Sequence, residues 1–158
     1  ERGYPEAVVR AYPTLLLPYL RRAVVRADGE IWVGLYTPLG GGASHWERFR
    51  AQPPHPLVDQ LRSTPEGEIF EWFAMRQTHA RLVPTQEGTA VEIDDLRYGF
   101  PGIPERGMWG IRGEFDREGN LIEPVRRIRG AGSRTLSLKA FWNAMWGTPA
   151  DLFPKPGD

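Results

Sequence analysis

The sequence has no cysteine. Disulfides and thiolate metal sites are excluded, and a chain without cysteine suits any redox compartment. No long hydrophobic run is present either. The longest uncharged apolar stretch lies within "AYPTLLLPYL" (11–20), where prolines interrupt it. It has about half the ~20 residues that a membrane-spanning helix needs. Neither a signal peptide nor direct membrane insertion is expected from these residues. There is no charge surplus, since Lys+Arg and Asp+Glu both number 20. That removes any general pull toward nucleic acid, and no nucleic-acid partner is expected. Histidine is scarce: His45, His55 and His79 sit on different expected elements, without the i, i+4 pairing of a zinc-protease helix. The glycine run in "PLGGGAS" (38–44) lacks the Lys-Ser/Thr ending of a phosphate loop and reads as a turn. No Gly-x-Ser-x-Gly elbow supports serine catalysis. The chain starts at Glu1 without an initiator Met, which leads us to expect a piece of a longer protein.

What is present fits one core. Of 158 residues, 41% are apolar and 11% aromatic, with six tryptophans, enough to fill the interior of a single domain. Eighteen glycines and 15 prolines point to many turns rather than to a helical bundle. "PEAVVRAY" (5–12) reads as a short helix stopped by Pro13. "LRRAVVRADGEIWVGLYTP" carries two β-branched or aromatic runs around Asp28-Gly29, a strong hairpin signal. Its second run has Ile31, Val33 and Leu35 on one face and Trp32 and Tyr36 on the other. A central strand covered on both sides is expected. "HWERFRA" (45–51) reads as an edge strand, and "HPLVDQLRST" (55–64) as a short amphipathic helix closed by Pro65.

In the second half, "EIFEWFAM" (68–75) alternates like a doubly buried strand. "HARLVPTQEGTAVEI" reads as a hairpin with its loop at 85–88, and "MWGIRGEFDREGNLIEPVRRI" as another turning at 116–120. "SRTLSLKAFWNAMWG" (133–147) is the clear late helix, with Leu138, Phe141, Trp142 and Met145 at i, i+3, i+4 and i+7. The expected fold is α+β: a mainly antiparallel sheet of about six to eight strands with two or three helices, the last at the C-terminus. Residues 1–147 are expected to form the single soluble domain and 148–158 a flexible Pro-rich tail.

The chemically suggestive stretch is "VEIDDLRYGF" (91–100). Val91 and Ile93 share one strand face, while Leu96, Tyr98 and Phe100 keep alternation in the opposite phase. The phase flips at Asp94-Asp95. A β-bulge or bend there would keep the apolar residues inward and turn the carboxylates outward. An inward Asp95 would need a partner, because an isolated buried carboxylate is costly, and Arg97 is the nearest one. Asp95, Arg97 and His79 are the catalytic candidates. His79 and Asp94 are the metal candidates, since a hairpin pairing sum of about 173 sets them opposite each other. With no Cys and no close His pair, no metal or other cofactor is expected in these residues. Trp32, Trp46, Trp72 and Trp109 could line a pocket but read as core, and "VRRIRG" (125–130) reads as a solvated basic face.

The hairpin "VVRADGEIWVGLYTPLGG", the short helix, "EIFEWFAM", and "VEIDDLRYGF" followed by "WGIRGEFDREGNLIE" resemble one family over most of residues 12–147. It is the C-terminal soluble region of bacterial membrane-bound metal-dependent hydrolase-like proteins, the YdjM/YbcI type. The carrying motif is Asp95-Leu96-Arg97-Tyr98-Gly99, and a tryptophan-bearing helix closes the region, as Phe141 to Trp146 would here. The resemblance implies an inner-membrane protein with this part in a soluble compartment. It also implies a divalent metal held by His/Asp motifs in an N-terminal membrane portion outside this chain. That membrane portion of the same polypeptide is the implied partner, and this region is an accessory, non-catalytic domain. The alternative is that the domain is itself a hydrolase or ligand-binding module, with a pocket around Asp94, Asp95, Arg97 and His79.

Overall fold

The computed structural model describes residues 8–14, 17–36, 45–99 and 103–129. Their eight strands are antiparallel and form two four-stranded sheets. The first sheet runs in the order β1 (Val8–Thr14), β2 (Leu17–Ala27), β3 (Glu30–Tyr36) and β4 (His45–Arg50). The second runs β5 (Thr78–Pro84), β6 (Gly88–Asp95), β7 (Trp109–Asp116) and β8 (Arg126–Arg129). Two helices, α1 (Pro56–Arg62) and α2 (Pro65–Phe73), separate the sheets along the chain. The antiparallel α+β class is as expected, but the strands are divided between two sheets rather than joined in one. The helical segment breaks the succession of hairpins, and each half closes into its own meander.

Several local expectations hold. The Asp28-Gly29 turn pairs Arg26 with Ile31 and Val24 with Val33. Both turn residues have positive φ, 51° and 73°, the tight hairpin geometry that matches strand twist. β4 lies at a sheet edge. The 85–88 loop joins β5 and β6, with His79 opposite Asp94. The 116–120 turn is closed by a Phe115–Leu121 bridge, with β8 pairing farther along β7. In "VRRIRG", Arg126, Arg127 and Arg129 are exposed, as a solvated face should be.

Other expectations are corrected. Residues 8–14 are a strand, not part of a helix, and Pro13 does not stop it. β-branched Val8 and Val9 favour the strand, and an edge position tolerates a proline that cannot donate. "EIFEWFAM" is not a strand: through Phe73 it belongs to α2. The decisive signal lies just before it. Thr64 caps the helix by accepting from the Gly67 amide at 3.1 Å, Pro65 occupies the first turn, and Glu66 and Glu68 suit the positive end of the helix. β3 is central by pairing, and on its second face Gly34 is buried against the Trp46 ring. Ile31, Val33 and Leu35 are buried, while Trp32 is half-buried with the Arg48 guanidinium 5.5 Å above its ring. The glycine turn at 38–44, the 133–147 helix and the 148–158 tail lie outside the described residues.

The main core forms where α1 and α2 cover one face of the second sheet. Val58, Leu61, Phe70 and Ala74 meet Ala80, Val91, Ile93, Ile111 and Phe115. A smaller core joins Val24, Ile31 and Val33 of the first sheet to Leu96, immediately after β6. Leu96 therefore belongs to the contact between the two sheets, and the residues around it carry the charges of interest.

Candidate functional site

β6 sends its odd residues to the helix-covered face and its even residues to the other. Val91 and Ile93 enter the main core. Asp95 shares their side, whereas Glu92 and Asp94 face the opposite way. Both aspartates are fully buried, at 0% exposure. The carboxylates are not turned outward, and of the expected bulge or bend it is the bulge that is missing, since the β5–β6–β7 register runs without a shift to the end of β6. The strand instead stops at Asp95. The apolar phase changes because the chain turns, carrying Leu96 into the second core.

Asp95 is satisfied locally. Its Oδ1 accepts from the Arg97 amide at 2.9 Å and from Arg97 Nε at 3.0 Å. Its Oδ2 accepts from Arg97 Nη2 at 2.8 Å and from Trp109 Nε1 at 3.1 Å. The Arg97 guanidinium lies 5.1 Å from the Phe73 ring centre and 5.3 Å from that of Tyr98. Tyr98 in turn packs on Trp109, with centroids 5.4 Å apart. The bond to Asp95 pushes the Arg97 pKa up. A forked guanidinium on a carboxylate, enclosed by three aromatic rings, is a rigid assembly.

The rest of the motif fastens the sheets together. The Leu96 amide donates to the Gln77 carbonyl at 2.8 Å. The Leu96 carbonyl accepts from Arg22 Nε at 2.9 Å, and Arg22 Nη2 reaches the Pro104 carbonyl at 3.2 Å. Burial lowers the Arg22 pKa to about 10, against the opposing effects of Glu47 and Asp95, so it remains charged at neutral pH. The Tyr98 carbonyl accepts from the Met108 amide at 2.7 Å. Gly99 bridges to Gly107, and a Cβ on Gly99 would collide with the Arg106 carbonyl and the Arg22 guanidinium. Each residue from Asp95 to Gly99 thus has a packing or hydrogen-bonding reason for its type.

The other face of the second sheet carries an ionic lattice. Glu92 pairs with Arg81, with Arg106 at 3.2 Å and with Arg112 at 2.8 Å. Glu114 pairs with Arg112 at 3.2 Å. Asp94 is less well served. Its Oδ1 accepts from the Gly107 amide at 3.2 Å, while Oδ2 lies 3.4 Å from Arg106 Nε and 3.7 Å from Arg81 Nε. Those three atoms are buried and make no hydrogen bond among the described residues. Burial outweighs the neighbouring arginines and raises the Asp94 pKa to about 6. His79 is buried on the same face, edge-on to Phe49 at 4.9 Å. Burial, then Arg81, Arg26 and Arg62, lower its pKa to about 4. It is therefore neutral at pH 7.

The four site candidates do not converge. His79 and Asp94 share one face, and Asp95 and Arg97 occupy the other. Two open clefts, of about 550 and 690 Å³, are lined by other residues. No group of three or more His, Asp or Glu side chains among the described residues is placed to hold a metal. The four tryptophans also part company: Trp109 packs against the main core, Trp32 and Trp46 are half-buried, and Trp72 is 81% exposed. Arg22 and the Arg81–Glu92–Arg106–Arg112 lattice were not singled out from sequence. The pairing sum that set His79 opposite Asp94 also sets Arg81 opposite Glu92, so part of the lattice had a usable signal.

No family model, curated protein or solved structure matches this chain. Among the described residues, no helix is long and apolar enough to cross a membrane.

Proposed function

We propose that this chain is an accessory, non-catalytic domain of a bacterial inner-membrane, metal-dependent hydrolase-like protein. Its partner is then the membrane portion of the same polypeptide, which holds the divalent metal and performs the reaction. The observation that supports this most is the internal use of the Asp95–Arg97 pair. Both carboxylate oxygens already accept donors, and the pair is sealed by Phe73, Tyr98 and Trp109. A substrate would have to break a buried ion pair to reach either group, a large cost with no compensating donor in place. The test uses the full polypeptide with its membrane part. Combined replacement of Asp95 by Asn and Arg97 by Met should preserve hydrolase activity wherever the protein remains folded. A folded but inactive double variant refutes the accessory role.

A second reading is supported by Asp94. Its buried Oδ2 lacks a hydrogen bond among the described residues, and its pKa of about 6 suits proton transfer near neutrality. On that reading the domain is itself a hydrolase or ligand-binding module, with Asp94 as acid or base. Ester or phosphoester turnover by the isolated chain, abolished in a folded Asp94→Asn variant, would establish it. The absence of turnover would leave the accessory role standing.

A further inference from the structure

A cleft of about 690 Å³ opens where the end of β2 meets α1, α2 and the start of β5. Its size is within the range of small-molecule sites. Arg26, Arg62 and Arg76 line it. Arg62 is paired: its Nε donates to Glu71 Oε1 at 2.9 Å, and Thr78 Oγ1 donates to the same oxygen at 2.8 Å. Arg26 Nη2 donates to the Thr78 carbonyl at 2.6 Å. Neither Arg26 nor Arg76 forms an ion pair among the described residues. Burial and then Arg62 lower the Arg26 pKa, and Glu71 offsets part of this. The cleft therefore holds like charges together.

The backbone beside it is strained. Met75 and Arg76 follow α2 with φ of 52° and 56°. That left-handed region is costly for a residue with a Cβ, and helix ends favour glycine there. Here an exposed arginine holds the second position, its amide closing the turn on the Glu71 carbonyl at 2.8 Å. Strain kept at a charged residue beside a cleft points to a ligand contact. One turn before Arg76, Trp72 offers a flat ring that is 81% exposed. Glu68, a turn earlier again, lines the cleft outside any ion pair among the described residues. It stands away from Arg76, where it can accept from a hydroxyl.

We propose that this cleft binds a small phosphate monoester carrying a flat ring, with the phosphate on Arg26 and Arg76 and the ring against Trp72. Two cations without carboxylate partners match the charge of such a phosphate, about −1.5 to −2 at neutral pH. Forked guanidiniums suit its oxygens, and an exposed indole suits stacking. The lining shares no side chain with Asp94, Asp95, Arg97 or His79, so occupancy of the cleft is independent of either functional reading.

Calorimetric titration of the 158-residue chain with adenosine 5′-monophosphate and with flavin mononucleotide tests it. At least one should bind saturably, one per chain, with a Kd of about 1 mM or tighter at low salt. Added salt should weaken it. Arg76→Gly should weaken it at least about 10-fold without lowering Tm, since glycine relaxes the left-handed φ. Trp72→Ala should weaken nucleotide binding and leave that of inorganic phosphate unchanged. No saturable binding of either nucleotide overturns the proposal. Binding that Arg76→Gly leaves unchanged also overturns it, by placing the nucleotide elsewhere. Inorganic phosphate bound as tightly as the nucleotides makes this an anion site without a ring subsite, and adenosine bound as tightly as its monophosphate removes the role of the arginines. Either result overturns the ligand class.

Discussion

Asp94 and Asp95 are neighbours in sequence, are equally buried, and have opposite surroundings. On the helix-covered face, Asp95 meets a forked arginine, a backbone amide and an indole N–H. On the other face, Asp94 has two arginines nearby but, among the described residues, hydrogen bonds only to the Gly107 amide. Burial alone does not decide what a charge contributes. The decisive quantity is how much of its lost hydration is replaced by directed donors. Asp95 holds the structure together, whereas ionised Asp94 is tolerated by it.

The sharpest way to break this contrast is to remove Arg97. Arg97→Ala leaves Asp95 buried without its main donor, and chemical denaturation should show a loss of about 3–5 kcal/mol. Pairing Arg97→Met with Asp95→Asn should recover a substantial part of it. A loss below ~1 kcal/mol for Arg97→Ala would show that Asp95 is not the better-served carboxylate.

The next effect appears in pH dependence. The folded-state pKa of Asp94 is raised to about 6 from the ordinary aspartate value of 3.8. Between those values the folded chain binds more protons than the unfolded one. Its contribution therefore falls as pH rises through that window, by an amount on the order of 3 kcal/mol. His79 acts in the other direction. Its pKa is lowered from 6.5 to about 4, so stability present above pH 6.5 is lost as pH falls toward 4. The two contributions oppose each other between about pH 4 and 6. In melting experiments His79→Phe should expose the Asp94 slope, with stability falling as pH rises. Asp94→Asn should expose the His79 slope, with stability falling as pH drops, and at pH 7 it should match or exceed the parent. Parallel pH profiles for the two variants would contradict the opposed signs.

The smallest effect concerns the indole. Trp109→Phe keeps most of the packing but removes a donor from Asp95 Oδ2, at an expected cost of about 1–2 kcal/mol in denaturation. Combined with Arg97→Ala, the loss should depart from additivity, because both residues serve the same carboxylate. Strict additivity would separate them.

Much of the strand pairing was legible because hairpin turns are local. Asp28-Gly29 sets one register, and the 85–88 loop sets another that includes His79 opposite Asp94. The ion pair was legible for the same reason, since Asp95 and Arg97 are two residues apart. The missed features depend on distant partners or on competing local signals. "EIFEWFAM" has the alternation of a strand, but Thr64 and Pro65 start a helix before the pattern begins. Its apolar residues were assigned to a core, although Ile69 and Trp72 face outward. Sheet division and the role of Arg22 were not legible, because both depend on contacts between residues far apart in the chain.

Every named strand hydrogen-bonds to a strand adjacent in the chain, whereas the Arg22–Leu96 bond spans 74 positions. That division orders assembly in time. Each meander pairs strands that follow one another in the chain. Among the described residues, the longest connection between named strands of one sheet is residues 96–108. Closing a meander therefore costs less entropy than closing the long-range bond. On loop-closure grounds the long-range clasp is expected to form after the local pairings. During synthesis the first meander can complete its registers on the ribosome before Leu96 has emerged. Until then Arg22 stands in water, fully hydrated, and its desolvation is deferred to the moment when its acceptor arrives.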